Sequence, residues 1–595
     1  MTTLFKFLFT GRRKGELSPF EEEQIQSPGK TVAKEFFKRK LTIVGLIGFF
    51  AIFLASMLIP VIIPIDLHQS DTGLRNVPPN FSMMRIPREV RDNMAQISSG
   101  ARYAAGLTND GEVYVWGSIY GVMQPIWNIP HFDGEVVHIS AGLEHVIAVT
   151  ADGRIHAWGH NNITARTTEV PQAIQGRVVT AEAGFRTTVA ILDDGTMHVF
   201  GGMNDNRANI NPGRIPPGSN LVQVEMSFLS AGVRTDDGYI HIPNPASRVY
   251  REVPDEVQGR AVDFAMTDRN VAAILDDGTV VAWGADEAAF HVPPEVQGRA
   301  TRIEGGSAHF TALLSDGSVV SWGDNAYGQI NAPQGTGFVE IVTGFHHNYA
   351  FRADGTVETW GLQGFLMGTD EMGRDIFGRL WTAGRYSLFI GAIAIIIATV
   401  LGITLGSIAG YFGGTADMLI MRFGEAVGSI PFLPIALLLN WHFGRDMDAI
   451  PALMLLMVIL GFFMFPPIMR LVRGQVLQAR QTEYVLGARA LGVREPIIIG
   501  RHIMPNILSV IIVQFALGLA ASMLIESTLG FLGFGIEEPT PTWGNMLNAA
   551  TNTIVLREQW WRWVFPAIAL VTVTLSINLI GDGLREAFDP RTRGR

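Results

Sequence analysis

Three runs in the C-terminal part of this 595-residue chain combine glycine, proline and charge at spacings suited to protein contact rather than to bond chemistry. The first is Gly368-Thr369-Asp370-Glu371-Met372-Gly373-Arg374-Asp375. Thr369 or Asp370 reads as a helix N-cap there, and the acids that follow suit the positive helix end. In the second run Gln478 to Leu491 has helical composition, Gly492 suits a helix stop, and Pro496 suits the start of another helix. Two short helices joined by a glycine turn make a compact knob. Gly487, Ala488 and Ala490 are small enough to let another protein approach, and Glu483 and Arg489 can form charged contacts. The third run, Glu526-Ser527-Thr528-Leu529-Gly530, sets an ionisable group near the end of an apolar stretch. Such a group is either part of a pathway or a hydrated or capped interfacial residue.

Bond-making chemistry finds little support. No nucleophile, base and acid set stands out, so no catalytic residue is assigned. The chain has no cysteine, which excludes disulfides, thiolate metal sites and cysteine nucleophiles. It also lacks a G-x-x-x-x-G-K-[ST] phosphate loop and cannot hydrolyse ATP by that route. His346-His347 is a poor metal site, because adjacent strand residues face opposite ways. A formal charge of −10 argues against a nucleic-acid partner.

Apolar segments must position these runs. Leu41–Ile63 is uncharged and long enough to cross a bilayer, and Lys34, Lys38, Arg39 and Lys40 before it place the N-terminus in the cytoplasm. It is too long for the core of a cleavable signal. Five further spans are expected near Ser387–Ala409, Met418–Leu439, Ile450–Ile468, Asn506–Ile525 and Val564–Leu579. Arg470, Arg473, Arg480, Arg489, Arg494 and Arg501 between spans four and five, with Arg585, Arg591, Arg593 and Arg595 after span six, agree with that topology. The long polar stretch between spans one and two then lies outside.

That stretch repeats. Asp-Gly turns fall at residues 110, 152, 194, 237, 277, 316 and 354, spaced 38 to 43 residues apart. Strand-like runs flank each turn, and an aromatic-Gly pair closes six of the seven hairpins; the fourth has Pro243-Asn244 there instead. A phrase beginning Val170-Pro171 and ending Gln175-Gly176-Arg177 recurs at 253–260 and 292–299. Repeats of this length with several strands each predict a seven-bladed β-propeller over residues 86–362, its repeated Trp, Gly and His serving blade packing and turns. The runs Gly142…His145…Asp152-Gly153…Trp158-Gly159 and Gly306…His309…Asp316-Gly317…Trp322-Gly323, with Gly328-Gln329, resemble the RCC1-type repeat. That resemblance implies a fold but no particular function.

The membrane half carries a second resemblance. Glu483-Tyr484-Val485-Leu486-Gly487-Ala488-Arg489-Ala490-Leu491-Gly492, with Pro505 thirteen residues after Gly492, is similar to the "EAA" coupling loop of ABC importers, although Leu486 stands where the naming glutamate would be. With the Gly368–Asp375 run, the Glu526–Gly535 run, Pro539 to Gly544, and Asn578 to Arg585 with Asp589-Pro590, it resembles the second permease subunit of dipeptide, oligopeptide and nickel importers. The resemblance implies a multi-pass protein of a bacterial plasma (inner) membrane with the type I importer fold of six transmembrane helices. It implies a second homologous permease subunit, two ATPase subunits that hold the ATP and Mg, and an extracytoplasmic substrate-binding protein. No cofactor is expected on this chain. The expected layout is a cytoplasmic segment 1–40, a first helix 41–66, a linker 67–85, the propeller, and a permease core 363–595. The rival reading is a membrane-anchored propeller for binding or adhesion, which has no need of a docking knob.

Overall fold

The computed structural model describes residues 28–119, 121–161, 165–202, 210–227, 230–243, 252–285, 291–439, 442 and 449–588. Asn244, Asp589-Pro590, Arg591, Arg593, Arg595 and the start of the N-terminal segment lie outside these residues. The chain forms two compact units, Ser70–Asp375 and Met1–Gln69 with Ile376–Arg595.

The Ser70–Asp375 unit is built from seven sheets, each of three antiparallel strands consecutive in sequence. The first comprises Met94–Ser99, Tyr103–Thr108 and Val113–Gly117, and the last Phe338–Thr343, His347–Arg352 and Val357–Gly361. The Asp-Gly pairs turn the second strand into the third, as at Gly153, whose φ of +78° an L side chain would resist. Trp116, Trp158, Trp283, Trp322, Trp360 and Phe200 are all buried. Trp158 Nε1 donates to the Ile126 carbonyl at 3.1 Å, and Trp360 Nε1 to that of Gln329 at 2.9 Å. The fourth unit, divergent in sequence, has an outer strand of only two residues, Ile240–His241.

The recurring Gln-Gly-Arg phrase has a structural role. Gln297 accepts from Val280 N–H at 2.9 Å and donates to the Val280 carbonyl at 2.9 Å, so one side chain pairs with an outer strand as a neighbouring strand would. Gln175 does the same at Ile155 and Gln258 at Ile240. Three otherwise open sheet edges are thereby partly covered.

Histidines at the start of middle strands join one blade to the next. His145 Nε2 meets Thr188 Oγ1 at 2.8 Å and His309 Nε2 meets Asn348 Oδ1 at 2.9 Å. His347 Nε2 meets Ser99 Oγ, which links the seventh sheet to the first and closes the ring. Its neighbour His346 turns the other way, to Asp71. The incoming segment fills the same join. Leu74, Val77, Met84 and Val90 pack among Ile97, Trp116, Tyr349 and Phe351, and Tyr349 donates to the Met84 carbonyl at 2.8 Å.

Among the described residues of the other unit five helices are long and apolar enough to cross a membrane: Lys40–Ile62, Ile376–Phe412, Ile450–Ala479, Glu495–Phe531 and Trp561–Phe588. Gly414–Ser429 and Phe432–Leu439 make a sixth if taken as one span, but they are bent by 79°. The third span expected near Met418–Leu439 corresponds to this bent pair. Pro431 holds Ile430 extended at φ −73°, ψ 126°, and the first helix ends there. Span two is also longer than its apolar run, since the helix begins at Ile376. Glycines let these helices touch. A Cβ on Gly402 would sit 2.6 Å from Ile468 Cγ2, one on Gly406 2.6 Å from the Met469 carbonyl oxygen, and one on Gly410 2.8 Å from that of Arg473. Their four-residue spacing is the small-residue ladder by which membrane helices approach closely.

Candidate functional site

The Glu483–Pro505 run forms a knob between the fourth and fifth spanning helices. Helix Glu483–Ala490 begins after extended Thr482, with Glu483 in its first turn and Arg489 in its last, matching the helix dipole at both ends. Gly492, at φ +76°, stops it. Gly492 N–H donates to the Arg489 carbonyl at 3.0 Å and Val493 N–H to that of Ala488 at 3.2 Å, which is a Schellman cap. Pro496 lies in the first turn of Glu495–Ile497, as expected. That short helix does not end as a separate element. It continues through a π-type turn, Ile498–Ile503, into Met504–Phe531, where Pro505 occupies the first turn. Span four likewise runs on to Ala479, which leaves Gln478 in the span rather than in the knob.

The knob has two unlike faces. Val485, Ala488, Ile498 and Ile503 are buried in one cluster with Val472, Val476, Ala479 and Ile507 of spans four and five. Ala488 therefore belongs to the packed face and not to an approachable one, because it falls three residues after Val485 on the same helix side. Asn506 Nδ2 donates to Tyr484 Oη at 2.9 Å and ties the helix to the start of span five. On the other face Glu483, Gly487, Arg489, Ala490 and Gly492 are exposed. Leu486, Leu491 and Ile497 are exposed beside them, Leu491 at 85%. A Cβ on Gly487 would meet nothing within 4 Å.

Residues outside the motif brace this end of the bundle. Arg480 Nη1 donates to the Gly410 and Tyr411 carbonyls at 3.2 and 3.0 Å. Arg473 makes two bonds of 2.6 Å to Asp417. Nothing in the arginine pattern alone separates these bracing residues from the exposed Arg489 or Arg494.

Thr369 and Asp370 do not stand at a helix start, since the helix that follows begins at Ile376. Thr369 N–H donates to the Val77 carbonyl at 2.8 Å, and Val77 N–H donates to Thr369 Oγ1 at 2.7 Å. Asp370 accepts from the N–H groups of Met372 and Arg374 and pairs with the Arg374 guanidinium at 2.7 Å. Asp71 N–H donates to Met372, Asn76 N–H to Asp370, and Asn80 exchanges both backbone bonds with Phe365. The run is half of a seam joining the two ends of the Ser70–Asp375 unit, and it groups with that unit rather than with the expected core 363–595. Gly368 and Gly373 take φ of +78° and +80° to make its turns, and Asp375 bridges back to Thr369.

Glu526 is fully buried. Ser527 Oγ donates to its Oε2 at 3.2 Å, and the hydroxyls of Ser387 and Thr542 also face its carboxyl group. Trp543 seals the spot, donating from its backbone N–H to Ser387 Oγ at 3.1 Å and from Nε1 to the Leu380 carbonyl at 3.0 Å. Thr542 and Asn545 reciprocally cap the short helix Trp543–Asn548 that carries this tryptophan. The other Glu526 carboxyl oxygen, Oε1, is buried without a hydrogen-bond partner among the described residues.

Residues 402–594 match the family described as binding-protein-dependent transport system inner membrane component. Residues 27–79 match the N-terminal TM domain of oligopeptide transport permease C, ending one residue before the Asn80–Phe365 bridge. Residues 94–118, 136–162 and 300–329 match the regulator of chromosome condensation (RCC1) repeat. The chain is 40% identical over 226 residues to a dipeptide transport system permease protein of Bacillus subtilis (strain 168), covering 38% of this chain and 68% of that one. It is 37% identical over 224 residues to a putative peptide permease protein of Brucella suis biovar 1, covering 38% and 72%. The CRINKLY WD40 ectodomain of the Arabidopsis thaliana receptor kinase ACR4 aligns with 46% of this chain and 97% of its own, at 18% identity and a TM-score of 0.37.

Proposed function

Because the chain belongs to the family of binding-protein-dependent transport inner membrane components, in its dipeptide and oligopeptide permease branch, we propose that it forms half of a peptide pathway across a bacterial inner membrane. As an importer permease it is a multi-pass transport subunit, and a second homologous permease subunit supplies the other half of the pathway. Two ATPase subunits bind and hydrolyse ATP with Mg, and an extracytoplasmic binding protein delivers the substrate. Both termini face the cytoplasm, where the basic residues around Lys38 and Arg480 lie, and the propeller stands outside.

The two-faced knob carries this reading. Its exposed side offers Gly487, Leu491 and the charges of Glu483 and Arg489 to an ATPase, while its other side is packed against Val472, Val476 and Ile507. A push on such a knob moves the ends of spans four and five as one body, since packed interiors transmit strain rather than absorb it. A membrane anchor for an adhesion domain needs neither face.

The test replaces Gly487 with Trp and Leu491 with Arg in the complete importer. Both side chains point away from the packed face, so the chain should remain folded in the membrane. ATP-driven uptake should drop at least about tenfold, with loss of ATPase co-purification, as when an interface centre is disrupted. Unchanged uptake and unchanged co-purification would remove the coupling role.

A further inference from the structure

The fourth blade is joined to the fifth differently from its neighbours. Its sheet comprises Leu221–Met226, Ala231–Thr235 and the two-residue strand Ile240–His241. No histidine opens its middle strand, unlike those of the second, sixth and seventh blades. Gln223 makes the join instead. Arg234 Nε donates to Gln223 Oε1 at 3.0 Å, which fixes the amide with its nitrogen turned to the fifth blade. That nitrogen meets three acceptors: Asp263 Oδ1 at 2.8 Å, the Phe264 carbonyl at 3.1 Å and Glu225 Oε1 at 3.1 Å. An amide nitrogen carries two hydrogens, so one acceptor goes unserved. The join is short of one hydrogen.

The missing hydrogen belongs on a carboxyl group. Asp263 is needed as an acceptor, because Phe264 N–H donates to its Oδ1 and Ile303 N–H to its Oδ2, both at 3.0 Å. Glu225 has only the shared amide as a donor among the described residues. Glu182 of the third blade and Glu304 of the sixth line the same cavity as Glu225. The guanidinium groups nearby are engaged, Arg234 with Gln223 and Arg302 with Glu304 at 2.8 Å. His138 of the second blade lies 3.5 Å from Glu182, and Asp268 and Glu340 complete the charged lining. Burial, with the charges of Glu304, Glu182 and Asp263, holds the Glu225 carboxyl well above the ordinary carboxylate range. A proton on Glu225 closes the count, since both amide hydrogens then serve Asp263 and the Phe264 carbonyl.

We propose that this join is a proton-operated clasp: Glu225 carries a proton while the fourth and fifth blades are joined and releases it to solvent when they part. Once hydrated, the carboxyl titrates near its ordinary 4.5. The joined state therefore binds a proton that the parted state gives up. The clasp is at full strength below about pH 4.5 and fails as pH rises through the higher value of the joined state. Ionised Glu225 faces Asp263, Glu182 and Glu304 as like charges, with one acceptor unserved, and both effects push the blades apart. The ring then loosens beside the blade with the shortest outer strand. Glu304, pushed up to about 7 chiefly by burial, acts in the same direction, so substitution must separate the two. The clasp is independent of the transport reading.

The experiment follows amide exchange of the full chain in lipid nanodiscs by mass spectrometry from pH 5 to 8.5, corrected for the intrinsic pH dependence of exchange. The reporting segments are Leu221–Met226 and Ala261–Met266. In the wild type their protection should fall with rising pH by up to about tenfold per pH unit, the limit for one proton. Glu225→Gln keeps the shape and cannot ionise, so it should hold protection at its acid-side level throughout. Asp263→Asn keeps an acceptor for Ile303 N–H and removes a like charge, so its fall should level off at lower pH. Glu304→Gln should still show a fall. A wild-type profile that does not fall overturns the clasp. An unchanged fall in Glu225→Gln also overturns it, as does a fall abolished by Glu304→Gln but kept by Glu225→Gln, which puts the proton on Glu304. An unchanged profile in Asp263→Asn overturns the sharing across the join, even if Glu225→Gln does not fold.

Discussion

Gly373 lies against Asp71 so closely that a Cβ on the glycine would stand 2.0 Å from the Asp71 carbonyl oxygen, and its φ of +80° already suits only glycine. The two residues are adjacent in the seam where the polypeptide enters and leaves the propeller unit. Gly373→Ala should therefore separate the seam, at a cost of about 1–3 kcal/mol. Hydrogen exchange of the amides of Asp71, Asn76 and Thr369 is the measurement, since all three donate across it. Protection lost there, with the blade strands still protected, is the expected pattern. Unchanged protection would mean that the seam yields without strain.

The glycine ladder of span two makes a prediction that the absence of cysteine renders clean. A Cβ on Gly410 would be 2.9 Å from Val476 Cβ, slightly closer than a disulfide needs. Cysteines introduced at Gly410 and Val476 should crosslink spans two and four on oxidation once the helices part by the small distance that a Cβ beside the Arg473 carbonyl demands. Adding Gly406→Leu should abolish the crosslink and uptake together, because leucine cannot fit beside the Met469 carbonyl.

What could be read in advance was mostly local. The Asp-Gly turns, the buried tryptophans and the Gly492 stop depend on residues close in sequence, and all were legible. Thr369 and Asp370 misled because Val77, the partner of Thr369, lies 292 residues away and no local pattern points to it. Ala488 looked approachable because composition gives a residue's size but not which side of a helix it takes. The bend at Ile430-Pro431 was signalled by the proline, yet the continuous apolar run concealed it.

Acid should loosen the blade joins. Burial pushes His145 and His309 down to about 4, and burial with the neighbouring His346 and His309 pushes His347 down to about 3, against an ordinary value of 6.5. The unfolded chain then binds more protons than the folded one between these values, so stability rises with pH across that window. It is complete above about pH 6.5 and is lost as pH falls towards 4. Partial removal from water raises Glu304, whose contribution runs the opposite way and falls as pH rises. The comparison must therefore be made between variants. His145→Gln should flatten the pH dependence of strand protection in the full chain by up to about 1.4 kcal/mol per pH unit between pH 6.5 and 4. A parallel profile would show that His145 is not held neutral.

The Gln-Gly-Arg phrase makes the last prediction. Gln297 gives the outer strand of the fifth blade one donor and one acceptor at Val280, both at 2.9 Å, and among the described residues no strand pairs with it on that side. Gln297→Ala removes both bonds and leaves two backbone groups to water, which at about 0.5–1.5 kcal/mol for each bond costs roughly 1–3 kcal/mol locally. Gln297→Glu keeps the acceptor and loses the donor, so it should fall between wild type and alanine. Exchange of the Val280 amide should speed up in the order wild type, glutamate, alanine, while the amide of Ile274, paired with Val280 inside the sheet, changes less. If glutamate behaves like alanine, the donated bond to the Val280 carbonyl carries the effect. If all three exchange alike, the edge is protected by packing of Val280 against its blade, and the side-chain bonds add nothing to it.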